Sequence, residues 1–226
     1  MNNGELTLRV KPVQQRALGT MELILNTSAT MLEEMGTDAL TTNLIAQRAG
    51  IRVRNIYRYF KNKQAIIYEL AMRMALKQSE FFKDFEYISD TDLAWEEALD
   101  KTVDSFFAFV EQQSGILVIR KAMKSSPELQ AIDEQQNREL AGKLKMALQK
   151  RGIAVPAQKL DLLCIIIMDI ATTLLDRAGM ELASSQANEG ANAVINELKT
   201  ILKSYLSTYL GSQEVWAVTS DPGRKN

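Results

Sequence analysis

The sequence has no histidine among its 226 residues and only one cysteine, Cys164. Histidine is the usual general base and a common metal ligand near neutral pH, so its absence removes the most frequent route to both kinds of site. The sequence also lacks a paired nucleophile and base, a phosphate-binding glycine loop and a metal-ligand cluster. We therefore expect neither an enzyme nor a bound metal or cofactor.

The cysteine content also bears on location, because a single thiol cannot form an internal disulfide. This is typical of a reducing compartment, and we expect a cytoplasmic protein. The first ten residues contain no long apolar stretch, so a secretory signal is not expected. The most apolar run, 160–175, is interrupted by Asp161 and Asp169 and is shorter than the ~20 residues that cross a bilayer. We expect a buried helix there and no membrane partner.

Prolines are scarce, at four, and between them apolar residues recur every three or four positions. Strand-like alternation is missing, which predicts an all-α fold. Helices are predicted at about 13–35, 43–49, 53–59, 63–82, 92–113, 115–125, 128–151, 157–179 and 187–210. Gly36 is expected to end the first helix as a left-handed cap, and Thr41 or Thr42 to cap the second. Residues 85–92 are predicted to form a loop, and Gly179 to end a helix.

Positive charge is concentrated at the start of the chain. Residues 1–63 carry nine Lys or Arg and five Asp or Glu, a net charge of +4, whereas the remainder has a net charge of −5. Within 39–70 the only acid is Glu69. We therefore expect the first quarter of the chain to meet an anionic partner.

The strongest local signal is residues 50–63, GIRVRNIYRYFKNK, with five cations, three aromatics and no acid. Gly50 can adopt a positive φ, so it can supply the sharp turn of a helix-turn-helix between two short helices. Helical spacing in the helix at 53–59 predicts a buried apolar stripe, made of Val53, Ile56, Tyr57 and Phe60. The opposite face is predicted to present Arg54, Asn55, Arg58 and Tyr59.

A helix face with long donors and no carboxylate suits the major groove of B-DNA, where an arginine can bind O6 and N7 of guanine. Lys61 and Lys63 lie at the start of the next helix, where free N–H groups favour a phosphate. Two alternatives stay open: the face could be merely solvated, or it could bind an acidic protein partner as part of a helical interaction module. Solvated faces usually mix charges, and an acidic partner does not require helix-turn-helix spacing, so double-stranded DNA is favoured.

The predicted domains follow the charge. Residues 13–63 are expected to form an N-terminal three-helix, homeodomain-like helix-turn-helix domain, and residues 64–211 a C-terminal helical bundle. Residues 1–12 and 212–226 are expected to be flexible tails. Within the first tail, Arg9-Val10-Lys11 could be an arm that reaches DNA or a disordered segment, and both interpretations stay open.

Residues 37–70 closely resemble the DNA-binding domain of the TetR family of bacterial transcriptional regulators. The shared pattern is the threonine pair at 41–42, Ile45-Ala46, Ala49-Gly50-Ile51, Ile56-Tyr57, Phe60 and Lys63. Beyond this domain the chain shares only helical layout and length with the family. The resemblance implies an all-helical homodimer, usually a repressor, that binds a palindromic operator and is released by a small molecule in the second domain.

By this resemblance, DNA phosphates would be held by Thr42, Tyr57, Tyr59 and Lys63. The recognition helix would place two further residues beside the groove, Asn55 and Arg58. Two positions depart from the family pattern: Arg52 stands where a serine often caps the helix, and Arg54 where a small residue is frequent. A lost cap costs about 1 kcal/mol locally. We expect the two added cations to give an arginine-rich operator contact.

The last two long helices are expected to form the dimer. The helix at 157–179 is apolar nearly all round, so it must be buried on several sides, and the helix at 187–210 carries apolar residues at helical spacing. Two such helices per chain can build a four-helix interface in a homodimer, as the family commonly does. The core of a monomer is the alternative.

A small hydrophobic ligand is expected between the helices of the second domain. Methionine and aromatic residues suit such a ligand, although they could equally be core. The predicted ligand-binding residues are Phe82, Trp95, Phe106, Phe107, Met123, Met168 and Asp169. Because Asp169 lies in an apolar run, it needs a partner, which could be an arginine or a ligand amine, or it could cap the pocket. Cys164 is expected to be a small buried hydrophobe rather than a redox sensor.

Overall fold

The computed structural model describes residues 6–10, 12–82, 85–112, 115–124, 126–184 and 188–210. Within these ranges the chain forms ten helices and no strand, which confirms the all-α prediction. The helices are α1 (Gln15–Ala39), α2 (Thr42–Arg48), α3 (Val53–Tyr59), α4 (Lys63–Phe81), α5 (Glu86–Ser89), α6 (Trp95–Gln112), α7 (Ile116–Met123), α8 (Pro127–Lys150), α9 (Ala157–Ser184) and α10 (Glu189–Leu210). The predicted tail at 212–226 lies outside the described residues.

Local capping chemistry explains the N-terminal helix boundaries. Gly36 has the positive φ expected of it, +73°, but its ψ of −175° is extended, so it kinks α1 and does not cap it; one further turn follows before α1 ends. The Thr41 hydroxyl accepts a hydrogen bond from the Leu44 N–H at 3.2 Å and so caps α2. In the same way the Asn62 side chain accepts from the Ala65 N–H at 2.9 Å at the start of α4.

Two predictions of the helix pattern were wrong. The predicted loop at 85–92 contains α5, which forms because Phe85 and Ile88 are buried and anchor one turn of helix. The predicted break at Gly179 does not occur, and α9 continues to Ser184. Gly179 and its neighbour Ala178 are buried, and packing can hold a glycine in a helix against its low propensity.

The described chain divides into two compact units, at positions that differ from the predicted boundary between residues 63 and 64. The first unit comprises residues up to Phe81 together with Gln113–Gln136. It includes α4 and α7 because α7 packs on both α1 and α4. Arg73 of α4 also links α1 to α4, since it donates hydrogen bonds to Glu22 at 2.8 Å and to Glu69 at 2.9 Å.

The second unit comprises Phe82–Gln112 and the chain from Asn137 onward. Helices α9 and α10 pack along one another, and α6 packs on both. Leu163, Leu198 and Leu202 are buried in this core. In the part of the chain that the structure describes, no helix combines the length and hydropathy that a membrane span requires.

Candidate nucleic-acid interface

A tight turn sets α3 against α2. Gly50 has φ +65°, and the following Ile51 N–H donates to the Ala46 carbonyl at 3.0 Å. Ala46 is buried, so the two helices approach closely at a small side chain, while Ile45 and Ile56 fill the space beneath. The turn therefore presents one face of α3 outward from the helix-turn-helix.

The inner face of α3 differs from its prediction. Tyr59 is buried with 2% exposure, whereas Tyr57 is 41% exposed, so the predicted positions of the two tyrosines are reversed. Ile56, Tyr59 and Phe60 form an i, i+3, i+4 set, and a seven-residue helix with four large apolar side chains is compatible with either stripe. Tyr59 packs edge-on to Phe60, with ring centroids 6.5 Å apart, and both side chains are buried in the first unit.

The outer face of α3 carries cations. Arg54 and Arg58 are exposed, and Asn55 is half-buried beside them. Arg52 precedes α3 as its N-cap residue and is exposed, and the structure describes no cap hydrogen bond from its side chain. The expected loss of the N-cap is confirmed, and the arginine that replaces a capping residue is available to a ligand.

Two of the predicted phosphate-binding residues lie together at this surface. The Tyr57 hydroxyl and the Thr42 hydroxyl are 3.1 Å apart, and either can donate to the other. Thr41 supplies the α2 cap, so the Thr42 side chain is not needed for that bond. A phosphate oxygen could accept from both hydroxyls, which are strong, reorientable donors.

Two nearby cations already have partners. The Lys63 ammonium donates to the Thr37 carbonyl at 3.0 Å, which joins the start of α4 to the turn after Gly36. It retains two further N–H groups for a phosphate. Arg48 forms a two-bonded ion pair with Glu34 of α1, and this hydrogen bonding lowers the pKa of the Glu34 carboxyl. The Arg48 charge is therefore shared with a carboxylate, unlike the exposed arginines of α3.

A polar cleft of about 360 Å³ lies between the start of α1 and α3. It is lined by Gln14, Arg16, Ala17, Thr20, Asn55, Arg58 and Tyr59. The Arg58 guanidinium lies 5.6 Å from the centroid of the Tyr59 ring, within the range of a cation–π contact. The sequence reasoning missed Arg16. The sequence did contain a signal for Arg16. The helix dipole favours acidic residues in the first turn of a helix, but the first turn of α1 has no acid and carries this arginine.

The segment before α1 is not a free tail at residues 6–10. Leu6 is buried, with 8% exposure, and the Arg9 N–H donates to the Tyr59 carbonyl at 2.9 Å. The Arg9 side chain is exposed. This part of the predicted flexible tail is therefore docked on the C-terminal end of α3, and Lys11 of the predicted arm lies outside the described residues.

The second unit contains an apolar cavity of about 40 Å³. Of the seven predicted ligand-binding residues, Phe106 and Met168 line it. The remaining lining residues are Phe85, Ile88, Leu99, Thr102, Val103, Leu144, Leu148, Ile167, Ala171, Leu175, Leu198, Leu202 and Leu206. Thr102 is the sole polar side chain among these described residues, and its hydroxyl donates to the Ala98 carbonyl at 2.7 Å. The lining therefore offers a ligand almost no hydrogen bonding.

The structure does not bring the other five predicted ligand-binding residues to this cavity. Phe82 lies behind the lining and stacks on Phe106, with ring centroids 3.5 Å apart. Met123 belongs to the first unit, and Trp95 and Phe107 lie on α6 outside the lining. Asp169 lies on the outer side of α9 and is therefore exposed. Its carboxylate accepts a hydrogen bond from the Asn137 amide at 3.4 Å.

Comparison with known proteins identifies both parts of the chain. Residues 24–70 match the family model described as bacterial regulatory proteins, tetR family. Residues 94–206, half of the chain, match the model described as the C-terminal domain of tetracyclin repressor-like proteins. A comparison with curated protein sequences gave no significant match.

Several solved structures share the fold. A TetR-family transcriptional regulator from Streptomyces coelicolor is 25% identical, with a TM-score of 0.60, covering 84% of this chain and 99% of that one. A regulator of the same family from Mesorhizobium loti is 15% identical, with a TM-score of 0.64, covering 87% and 99%. SmeT of Stenotrophomonas maltophilia, in complex with triclosan, is 17% identical, with a TM-score of 0.59, covering 84% and 91%.

Proposed function

Because the chain belongs to the TetR family of bacterial transcriptional regulators, we propose that it is a repressor that binds a palindromic operator as a homodimer and is released by a small apolar ligand. The observation that carries the DNA-binding part is the outer face of α3. There Arg54 and Arg58 are exposed beside Asn55, and the described outer face of this helix presents no acid.

Each predicted DNA contact takes a role from its place. Arg54, Arg58 and Asn55 read base edges in the major groove, where arginine and asparagine make two-bonded contacts with guanine and adenine. Thr42, Tyr57 and Lys63 hold phosphates on the flanks, and Arg52 adds a cation at the start of α3. Tyr59 is buried, so we assign it to supporting Arg58 rather than to a phosphate.

The homodimer is proposed to form through α9 and α10. Three side chains of α9 are apolar and exposed in the single chain, with Leu162 at 58%, Met180 at 46% and Ile165 at 39%. Ile201 of α10 is 41% exposed. An exposed apolar set on two long helices that pack together is the pattern of a helical dimer interface. A two-fold operator would then match the two-fold protein.

The effector is proposed to enter the apolar cavity of the second unit. The lining is aliphatic and aromatic, which favours a ligand without charged groups. SmeT, a relative in fold, is a repressor of a multidrug efflux pump and forms a complex with triclosan. The cavity is about 40 Å³, far below the roughly 300–1,000 Å³ of occupied ligand pockets, so binding requires its lining to move.

Selection of bound duplexes from a random DNA pool, at two salt concentrations, tests the proposal. An enriched palindrome, bound by a dimer in light-scattering measurements, is the expected result. Arg54→Gln should then weaken binding and relax preference at one base position by about 1–3 kcal/mol. The control is Lys150→Gln, which removes the same charge from an exposed position at the end of α8.

Salt-sensitive binding without an enriched sequence would contradict a sequence-specific repressor. It would favour the alternative, a helical module that binds an acidic protein through its basic face. A competition experiment separates DNA binding from binding of an acidic protein. Ordinary duplex DNA should displace the acidic protein if the cationic face of α3 is a DNA-binding surface, and should fail to displace it if the acidic protein is the true partner. Loss of DNA binding on adding an apolar compound, with no change in dimer content, is the expected effector response.

A further inference from the structure

The polar cleft and the docked segment together form a cationic site that the recognition helix does not explain. Arg16 comes from α1 and Arg58 from α3, and both line the cleft. Arg9 of the docked segment is not a lining residue, but its backbone N–H donates to the carbonyl of Tyr59, which is one, and its side chain is exposed. Among the described lining residues none is acidic.

The site is organised before any ligand arrives. A cation–π contact, with the guanidinium 5.6 Å from the Tyr59 ring centroid, favours a position of Arg58 at the cleft. Burial of Leu6 and the Arg9 hydrogen bond hold the docked segment on α3. Because a pre-positioned arginine loses less conformational entropy on binding than a free one, such a site gains affinity from its rigidity.

The chemistry of the cleft suits a phosphodiester. Arginine guanidinium groups match phosphate oxygens in geometry and charge. Gln14 and Asn55 add neutral amide donors, and Arg16 lies in the first turn of α1, where the helix dipole also favours an anion. Asn55 and Arg58 belong to the recognition helix as well as to the cleft, so a bound anion would lie directly beside the groove that α3 enters.

We propose that this cleft holds a DNA backbone phosphate at the edge of the major groove, with Arg16 and Arg9 as DNA contacts additional to the helix-turn-helix. The proposal rests on the proposed DNA-binding function. It adds a contact that carries no sequence information but fixes the position of α3 on the duplex.

Salt dependence of operator binding tests the proposal, using the selected duplex and fluorescence anisotropy. Each phosphate contact contributes about 0.9 to the slope of log affinity against log salt concentration. Arg16→Gln and Arg9→Gln should each reduce the slope by about that amount per protomer, with no change in the enriched sequence. Arg58→Gln is the positive reference, and Lys150→Gln is the matched control for lost charge. Thermal melting of each variant checks that the fold is kept.

Two further experiments test where the bound phosphate comes from and whether the docked segment contributes to binding. A duplex shortened at both ends removes the flanking phosphates, and on it the wild type and Arg16→Gln should bind alike. If inorganic phosphate is the true ligand, wild type and Arg16→Gln should bind the full-length duplex alike and differ only in their affinity for phosphate, and this outcome would overturn the proposal. Leu6→Ala keeps every cation but removes the anchor, and it should weaken binding. Unchanged affinity would overturn the role of the docked segment.

The outcomes separate this proposal from the proposed function. If Arg58→Gln lowers affinity and slope while Arg16→Gln and Arg9→Gln match Lys150→Gln, the cleft does not hold DNA and the repressor function stands. If none of the arginine variants differs from the control, DNA binding through α3 is itself refuted.

Discussion

Replacing Arg151 by methionine should loosen α5, which forms part of the lining of the apolar cavity. The guanidinium donates to four backbone carbonyls at the end of this short helix: to Ile88 at 2.6 Å, Leu93 at 3.0 Å and Tyr87 at 3.3 Å, and also to Asp90. A four-residue helix has few internal partners for its last carbonyls; the Tyr87 carbonyl accepts from the Asp90 N–H, and one distant arginine donates to this carbonyl and to the others. Burial lowers the pKa of Arg151, which nevertheless stays charged near neutral pH.

The expected cost follows from the surroundings of these bonds. Two are part-buried, and a hydrogen bond to a charged group is worth about 1.5 kcal/mol at the lower end of its range, which gives about 3 kcal/mol for the two. The two exposed bonds add little. Because 1.4 kcal/mol is a factor of ten, α5 should open about 100-fold more often in Arg151→Met. Methionine keeps an apolar stem, so lost packing contributes little.

Hydrogen exchange at single residues measures the effect. The amides of Ser89 and Asp90 are bonded to the carbonyls of Phe85 and Glu86, so their exchange reports opening of α5. Lys150→Met is the control, since it removes an adjacent positive charge. Exchange at these two amides no faster in Arg151→Met than in the control would show that Arg151 does not hold the helix.

Three further results are expected. Burial raises the pKa of Cys164 to about 12, so the reactive thiolate is scarce and a thiol reagent at pH 8 should label the folded protein far more slowly than the unfolded one; equal rates would contradict its burial. Thr41→Ala removes the α2 cap and should lower the stability of the first unit by about 1 kcal/mol in urea unfolding, and an unchanged midpoint would exclude that role. Tyr57→Phe should weaken DNA binding by about 1 kcal/mol at an unchanged melting temperature, and wild-type affinity would remove the hydroxyl from the contact set.

Much of the fold could be predicted because it rests on local signals. Helical spacing, glycine turns and capping residues act within a few positions, so Thr41, Asn62 and Gly50 were enough to place the helix-turn-helix. The same locality limits the prediction of faces. On α3, two stripes fit a seven-residue helix, and only packing on the rest of the first unit selects Tyr59 over Tyr57.

The predictions that were wrong concern features that depend on contacts between segments distant in sequence. Besides the burial of Phe85 and Ile88, the α5 helix has hydrogen bonds from Arg151, roughly sixty positions away along the chain, and local spacing does not predict these bonds. The ligand-binding residues were predicted by residue type, but leucine is the most frequent residue in the cavity lining, and those leucines come from four different helices. Met123 has the right chemistry and lies in the other unit, since α7 folds back onto α1 and α4.

If the effector enters the apolar cavity as proposed, the small size of this cavity sets a threshold for the compounds that release the protein from DNA. A ligand can bind only to molecules in which the cavity has expanded. Its apparent Kd is therefore the intrinsic Kd divided by the fraction of molecules with an expanded cavity. An open fraction of about 1% makes a ligand bind about 100-fold more weakly than its contacts allow. Under the proposed function, only compounds with enough apolar surface to offset the opening cost would produce a response. Substitutions that change the opening equilibrium would thus shift sensitivity to every ligand together, while substitutions in the lining would shift one ligand relative to another.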